Sequence, residues 1–211
     1  MTTRHGPAPT PIPAPGSHLR EMTDEDCGAV ATIRVRGWQS AYRGLIPQAY
    51  LDAMDIGRQT AALRERLAGG GAVNLVAVTD PPETPGQPGP SGSAETPGPP
   101  EPEVVGWACY GAYREDDGSR SEGGELYAIY VRPDRTGAGT GGALLAEVAG
   151  RAAADGFATL ALWVLRENAG ARRFYERAGF APDGAEEDFE AGGLMIPEVR
   201  YVRALSPSAP A

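Results

Sequence analysis

The sequence contains no lysine: all 19 of its basic residues are Arg. A Walker-type phosphate loop needs its Lys, and so does Schiff-base chemistry, pyridoxal enzymes included; both are excluded. Histidine is nearly as scarce, with only His5 and His18, both in or beside a Pro-rich N-terminal stretch. A body without His argues against hydrolytic triads, His-ligated zinc and His general bases, and no metal is expected. Cys27 and Cys109 have neither disulfide nor metal spacing, which fits a reducing, cytoplasmic setting. No apolar run is long enough to span a bilayer, so no membrane partner is expected. The opening MTTRHGPAPTPIPAPGS lacks the apolar segment of a secretory signal. Net positive charge is also missing: a formal charge of −9 argues against nucleic acid. An enzyme with this inventory works through carboxylates, Tyr, Ser/Thr, Cys, Arg and backbone. Transfer from a bound activated donor to an incoming nucleophile suits that set.

What is present reads as one domain with appendages. The 211 residues are 41% hydrophobic, enough for a real core. Residues 1–17, an insertion at about 80–103 and the final 206–211 are dominated by Pro and small residues and read as disordered. The folded domain therefore spans 18–205. Strand-like AVNLVAVT and EVVGWACYGAY flank the insertion, as a hairpin with an enlarged tip would. Before them, Thr23 and Asp26 mark a helix start, and Cys27, Ala31, Val35, Trp38 and Tyr42 form one stripe along it. Pro47 opens a second helical region that ends at Gly69 to Gly71. Further on, TLALWVL reads as a strand buried on both faces. NAGARRFYERAG reads as a short helix capped by Asn168 with Gly179 beyond its end, and PEVRYVRAL as a closing strand. The fold class expected is α/β (α+β), a mixed and mostly antiparallel central sheet flanked by helices. The acids of DGAEEDFE read as a solvated loop.

The segment VRPDRTGAGTGG admits two readings. Gly137, Gly139 and Gly142 match the dinucleotide fingerprint G-x-G-x-x-G, after the strand-like ELYAIYV and before a helical pattern, and Glu167 lies near the place of a ribose-binding carboxylate. A Rossmann-like oxidoreductase would follow. Against it, the unit comes after antiparallel strands, one crossover follows, and Pro133 lengthens a turn that the fingerprint requires to be tight. Either way, N–H groups at a helix N-terminus make an anion site. Between Val131 and Phe180 seven Arg stand against five acids, a local excess of positive charge on an acidic chain.

The second reading is a resemblance. Val131 and Pro133, the alternate Gly137, Gly139 and Gly141, and the run from Ala143 resemble the pyrophosphate loop of the GNAT superfamily of N-acetyltransferases. About forty residues on, NAGARRFYERAGF is similar to that superfamily's second signature at Asn168, Ala171, Phe174, Tyr175, Glu176, Gly179 and Phe180. WQSAYRGLIP, from Trp38, also resembles many bacterial members. One departure stands out: Thr136 occupies the place where Arg or Gln usually precedes the first Gly, with Arg135 one position earlier.

The resemblance implies acetyl-CoA as donor and a primary amine as acceptor. The strand before the Gly loop would splay from its neighbour, and the pantetheine arm would bond the backbone of Ile129, Tyr130 and Val131. Arg135, Thr136, Gly137, Ala138, Gly139, Thr140, Gly141 and Gly142 would hold the pyrophosphate, with Asn168 and Arg172 close to the CoA arm. Tyr175 would be the general acid for the departing thiolate, since a phenol with pKa near 10 keeps its proton at neutral pH. Glu125 would take the amine's proton directly or through water. Trp38, Tyr42 and Tyr127 would line the acceptor pocket, and the acids after Asp183 would suit a cationic acceptor. Neither Cys stands in a nucleophile setting, so direct transfer in a ternary complex is expected. A non-catalytic acyl-CoA-binding module and a homodimer both stay open.

Overall fold

The computed structural model describes residues 17–80, 102–114 and 120–205. The disorder expected for the N-terminal tail, the insertion and the C-terminal tail falls almost wholly outside these residues.

Seven strands form one sheet in the order β1-β2-β3-β4-β5-β7-β6. They are β1 Ser17–Glu21, β2 Ala72–Thr79, β3 Glu103–Arg114, β4 Arg120–Val131, β5 Thr159–Leu165, β6 Ala181–Ala191 and β7 Leu194–Ala204. Every neighbouring pair is antiparallel except β4–β5. This is the mixed, mostly antiparallel sheet read from the sequence. A Rossmann domain needs repeated parallel β-α units, and this topology has a single parallel pair.

Helices α1 (Cys27–Ala41), α2 (Gln48–Asp52) and α3 (Ile56–Gly69) precede β2, while α4 (Thr140–Ala154) and α5 (Ala169–Arg177) flank β5 in sequence. The stripe on α1 is buried at Cys27, Ala31 and Val35, and its Cys27, Val30 and Ala31 pack with Leu63, Trp107 and Cys109. On the opposite sheet face α4 places Leu144, Leu145, Val148, Ala149 and Ala152 against Leu126, Leu160, Leu162 and Tyr201. The start of α1 is fixed by Asp26, which accepts from the Thr23 N–H at 2.7 Å and the Thr23 hydroxyl at 3.1 Å. Arg20 grips the same carboxylate with two bonds of 2.6 and 2.8 Å, tying β1 to the helix.

Two strands depart from the sequence reading. Strand β1 begins at Ser17, within the segment expected to be disordered, and SHLRE carries no alternating pattern. It exists because β2 offers a free edge, and backbone pairing from Ser17↔Thr79 to Glu21↔Leu75 needs no apolar face. Residues Asp183 to Glu190, expected as a loop, lie within β6. Their acids stand on an edge strand paired to β7, where charge deters pairing with other chains. The helical region after Pro47 divides into α2 and α3, because the Asp55 side chain accepts from the Arg58 N–H at 2.8 Å and caps a new helix.

Candidate active site

Strands β4 and β5 are paired only at Gly124↔Leu160 and Glu125↔Ala161. Beyond that point β4 keeps its ladder with β3 as far as Val131↔Gly106, while β5 keeps its own with β7 along its whole length. Each strand takes its hydrogen bonds from its outer neighbour, so the facing edges part. The backbone of Ile129, Tyr130 and Val131 therefore borders an opening. The register against β3 shifts at Tyr127, between Leu126↔Tyr110 and Ala128↔Cys109. Such a bulge re-aims side chains, and Tyr127 and Ala128 both pack on the α1 side of the sheet.

At the far end of β4, a turn over Pro133–Arg135 leads into α4. Gly137 and Gly139 adopt φ of 84° and 88°, a region that side chains with a Cβ rarely enter. The first helical bond runs from the Ala143 N–H to Gly139 O at 3.0 Å, so the N–H groups of Thr140, Gly141 and Gly142 have no intrahelical partner. They sit at the positive end of the helix dipole. Residues Asp134 to Gly139, Ala138 among them, are exposed. The Thr136 hydroxyl donates to Pro133 O at 2.9 Å, which occupies that hydroxyl within the turn. Arg132 is held by Asp134 and Glu103, whereas Arg135 beside the loop is exposed.

Helix α5 begins at Asn168, whose Oδ1 accepts from the Ala171 N–H at 3.1 Å. Phe174 packs toward the start of α4, where a Cβ on Gly141 would lie 3.6 Å from its ring. Tyr175 packs against Phe174 and Phe180 with ring centroids 5.2 and 6.0 Å away. Its ring belongs to the core on the α4 side. Burial raises its pKa, with Tyr130 adding to the effect, so the phenol stays protonated at neutral pH. Tyr130 accepts a hydrogen bond from the Trp38 indole at 2.8 Å. Burial also raises the Tyr42 pKa. Arg172 donates to the Tyr201 hydroxyl and to Arg166 O, each at 3.0 Å, so its guanidinium is engaged between α5, β7 and the end of β5.

On the α1 side of the sheet lies a cavity of about 580 Å³, bordered by Trp38, Leu63, Trp107, Tyr127, Ala128 and Tyr130. Trp38 and Tyr127 share it; Tyr42 packs instead with Ile46, Leu51 and Phe189. Glu125 is 6% exposed and accepts from the Arg114 backbone N–H at 3.2 Å and from its guanidinium at 3.4 and 3.5 Å. The same guanidinium lies 4.0 Å from the Tyr127 ring centroid, and Tyr127 donates to Ala112 O at 2.5 Å. Burial pushes the Cys109 thiol up to about 12, which keeps it from acting as a thiolate. Among the described residues, no group of three His, Cys, Asp or Glu could hold a metal ion, and no helix is long and apolar enough to cross a membrane.

One group escaped the sequence reading. Glu198 on β7 stands opposite Leu165 of β5 and Glu187 of β6, and its charge acts on both Tyr42 and Tyr130. Burial first, and then Glu187, raise its pKa to about 7. Its signal could have been a lone carboxylate in PEVRYVRAL, but Glu187 was assigned to a loop and the pair was invisible. Two residues along β7, Arg200 binds Asp183 and Tyr113, and Arg166 pairs with Glu186; neither guanidinium pairs with Glu198 among the described residues. The raised pKa means the folded state holds the proton more tightly than the unfolded chain. Stability is therefore full below about pH 4.5 and is lost as pH rises toward 7. Glu198→Gln should stabilise the protein by roughly 1–2 kcal/mol at pH 8 and leave it nearly unchanged at pH 4.5, read as Tm against pH. Equal shifts at both pH values would rule out a titrating Glu198.

The same architecture occurs in known proteins. The profile of the Acetyltransferase (GNAT) family matches residues 96–180. The uncharacterised N-acetyltransferase YuaI of Bacillus subtilis (strain 168) is 30% identical over 184 residues, covering 86% of this chain and 89% of YuaI. PaiA N-acetyltransferase from Thermoplasma acidophilum, solved in complex with coenzyme A, superposes with a TM-score of 0.61 at 17% identity, over 89% of this chain and 98% of its own. YncA from Salmonella typhimurium, solved with its cofactor acetyl-CoA, gives 0.60 at 20% identity, over 92% and 97%. At those identities the structures speak for the fold, whereas YuaI's identity and coverage speak for the family. With strand opening, Gly loop and sequence kinship in agreement, the chain belongs to the GNAT family of acetyltransferases, and it is an acyltransferase.

Proposed function

We propose that the protein moves an acetyl group from acetyl-CoA to the primary amine of a small molecule or peptide, by direct attack in a ternary complex. The observation that carries this reading is the opening between β4 and β5, with the Gly loop after β4 and the Tyr175-bearing helix α5 after β5. The residues fit the donor. Free N–H groups at Thr140, Gly141 and Gly142, with Arg135 nearby, suit a pyrophosphate, and the unpaired edge at Ile129 to Val131 suits an amide-bearing arm. Coenzyme A in the PaiA structure and acetyl-CoA in the YncA structure support the same choice.

When bound, acetyl-CoA supplies a thioester, an acyl group already activated toward amines. The chain's own groups do the rest. The β4 backbone offers N–H donors to the carbonyl oxygen. Glu125, held in place by Arg114, accepts the amine's proton directly or through water. Tyr175 gives its proton to the leaving sulfur. The cavity under α1 and α3 receives the acceptor, with Trp38 and Tyr127 in its walls. Cys109 stays a thiol, so no acyl-enzyme forms.

Thermal shift separates this reading from a nicotinamide enzyme. Acetyl-CoA at about 100 times its Kd should raise Tm by roughly 5–10 °C, while NADH and NADPH leave it unmoved. Thiol release across an amine panel then reports turnover. Stabilisation by a nicotinamide cofactor and not by acetyl-CoA would overturn the proposal, and tight CoA binding without turnover of any amine would mark a binding module.

A further inference from the structure

Among the described residues, Arg34, Arg66 and Arg114 line the cavity under α1 and α3, and no Asp or Glu does. On a chain of net charge −9 this is a concentrated reversal of sign. Arg34 gives one bond to Gln59 at 2.7 Å, and its head lies 5.8 Å from the Trp38 ring centroid. Arg114 is steadied by the Tyr127 ring and by Glu125. Arg66, in the last turn of α3, has no ion-pair or hydrogen-bond partner among the described residues. Arg66 and Arg114 both act electrostatically on the Cys109 thiol, as does Glu125 with the opposite sign. Arg66 and Arg114 thus share the cavity wall with Cys109, and Glu125, just outside that wall, pairs with the Arg114 guanidinium at 3.4 Å, so an anion stands directly behind one of the two cations. The cavity walls also include Leu63, Leu67 and Trp107, apolar surfaces that strengthen a charge contact beside them.

That juxtaposition fits one kind of ligand. An amino acid carries an ammonium and a carboxylate one carbon apart, so its two charges need partners of opposite sign side by side. A carboxylate accepts the fork of an Arg, and Arg66 has a fork to offer. The amine would then sit beside Glu125, the group assigned to take its proton. We propose that the cavity is an amino-acid site in which Arg66 and Arg114 bind the acceptor's carboxylate, so that the enzyme's substrates are free amino acids or amines of that type. The amine half of this statement rests on the acetyltransferase reading; the anion site stands on the arginines alone.

Binding and turnover test the two halves separately. Trp38 and Trp107 line the cavity, so quenching of their fluorescence reports occupancy in the full chain saturated with coenzyme A. The probes are the twenty proteinogenic amino acids, their amides, and the matched pair β-alanine and 2-aminoethylphosphonate. At least one amino acid should quench saturably, with its amide about 100-fold weaker. Arg66→Gln, at an exposed helix position, should weaken that amino acid about tenfold, and Arg66→Lys should restore part of the loss. Amides that bind as well as acids, or no quenching by any amino acid, would overturn the site. So would tighter binding of the phosphonate than of β-alanine, since the oxyanion would not be a carboxylate. An amino acid that binds but is never acetylated counts against the acetyltransferase reading and leaves the anion site standing.

Discussion

Replacing Tyr175 by Phe should lower kcat by about 100-fold while Tm and acetyl-CoA affinity stay nearly constant. General acids contribute about 10²- to 10⁴-fold, and the lower end suits a thiolate, which leaves more readily than an amine or alkoxide. The substitution is clean because the ring contacts with Phe174 and Phe180 are aromatic and survive in Phe. What disappears is one hydroxyl, which Tyr130 influences electrostatically. Because burial raises the Tyr175 pKa, its proton is present through the whole neutral range, and the wild-type rate should show no fall from this group up to pH 9. A merely structural Tyr would lose stability on substitution and leave the rate intact. A kcat within threefold of wild type, with steady-state kinetics limited by chemistry, would remove Tyr175 from the mechanism.

The second large effect is expected at the Gly loop. Gly139→Val should weaken acetyl-CoA by about 100-fold and lower stability by roughly 1–3 kcal/mol. The residue caps α4 with φ of 88°, where a β-branched side chain is strained. Relief of that strain would turn the N–H groups of Thr140 to Gly142 away from a common focus, and those N–H groups replace the Arg or Gln that Thr136 does not supply. Gly150→Ala serves as control, since it lies on an exposed face of the same helix with nothing within 4 Å of a new Cβ. It should be neutral or stabilising by up to about 1 kcal/mol. Isothermal titration with acetyl-CoA, alongside Tm, reads both quantities. An unchanged Kd for Gly139→Val would mean that side chains, not backbone, hold the phosphates.

Much of the fold was legible because local signals and long-range packing agreed. The stripe from Cys27 to Val35, the apolar face of α4 and the buried run Thr159–Leu165 announce their elements through periodicity, and each keeps its bounds closely in the structure. Edge strands carry no such signal. SHLRE and the acidic strand Ala181–Ala191 bury little and are strands only because a neighbour's backbone is unpaired beside them. Site residues divide along the same line. Gly137, Gly139, Asn168 and Tyr175 belong to contiguous segments whose spacing carries meaning. Glu198, Arg66 and Arg114 belong to segments far apart in sequence, and each alone looks like an ordinary charged residue.

The sequence by itself determined the chemical inventory: no Lys, His only at positions 5 and 18, two cysteines, a Gly loop after a strand, and a Tyr-bearing helix. It also carried enough of two motifs to point to the right superfamily. Only the tertiary structure decided that β4 and β5 part just after Glu125 and that three arginines distant in sequence line one cavity. The physical reason is that motif chemistry is local, whereas charge convergence, burial and strand divergence are properties of pairs distant along the chain, which exist only once each strand has chosen its neighbour.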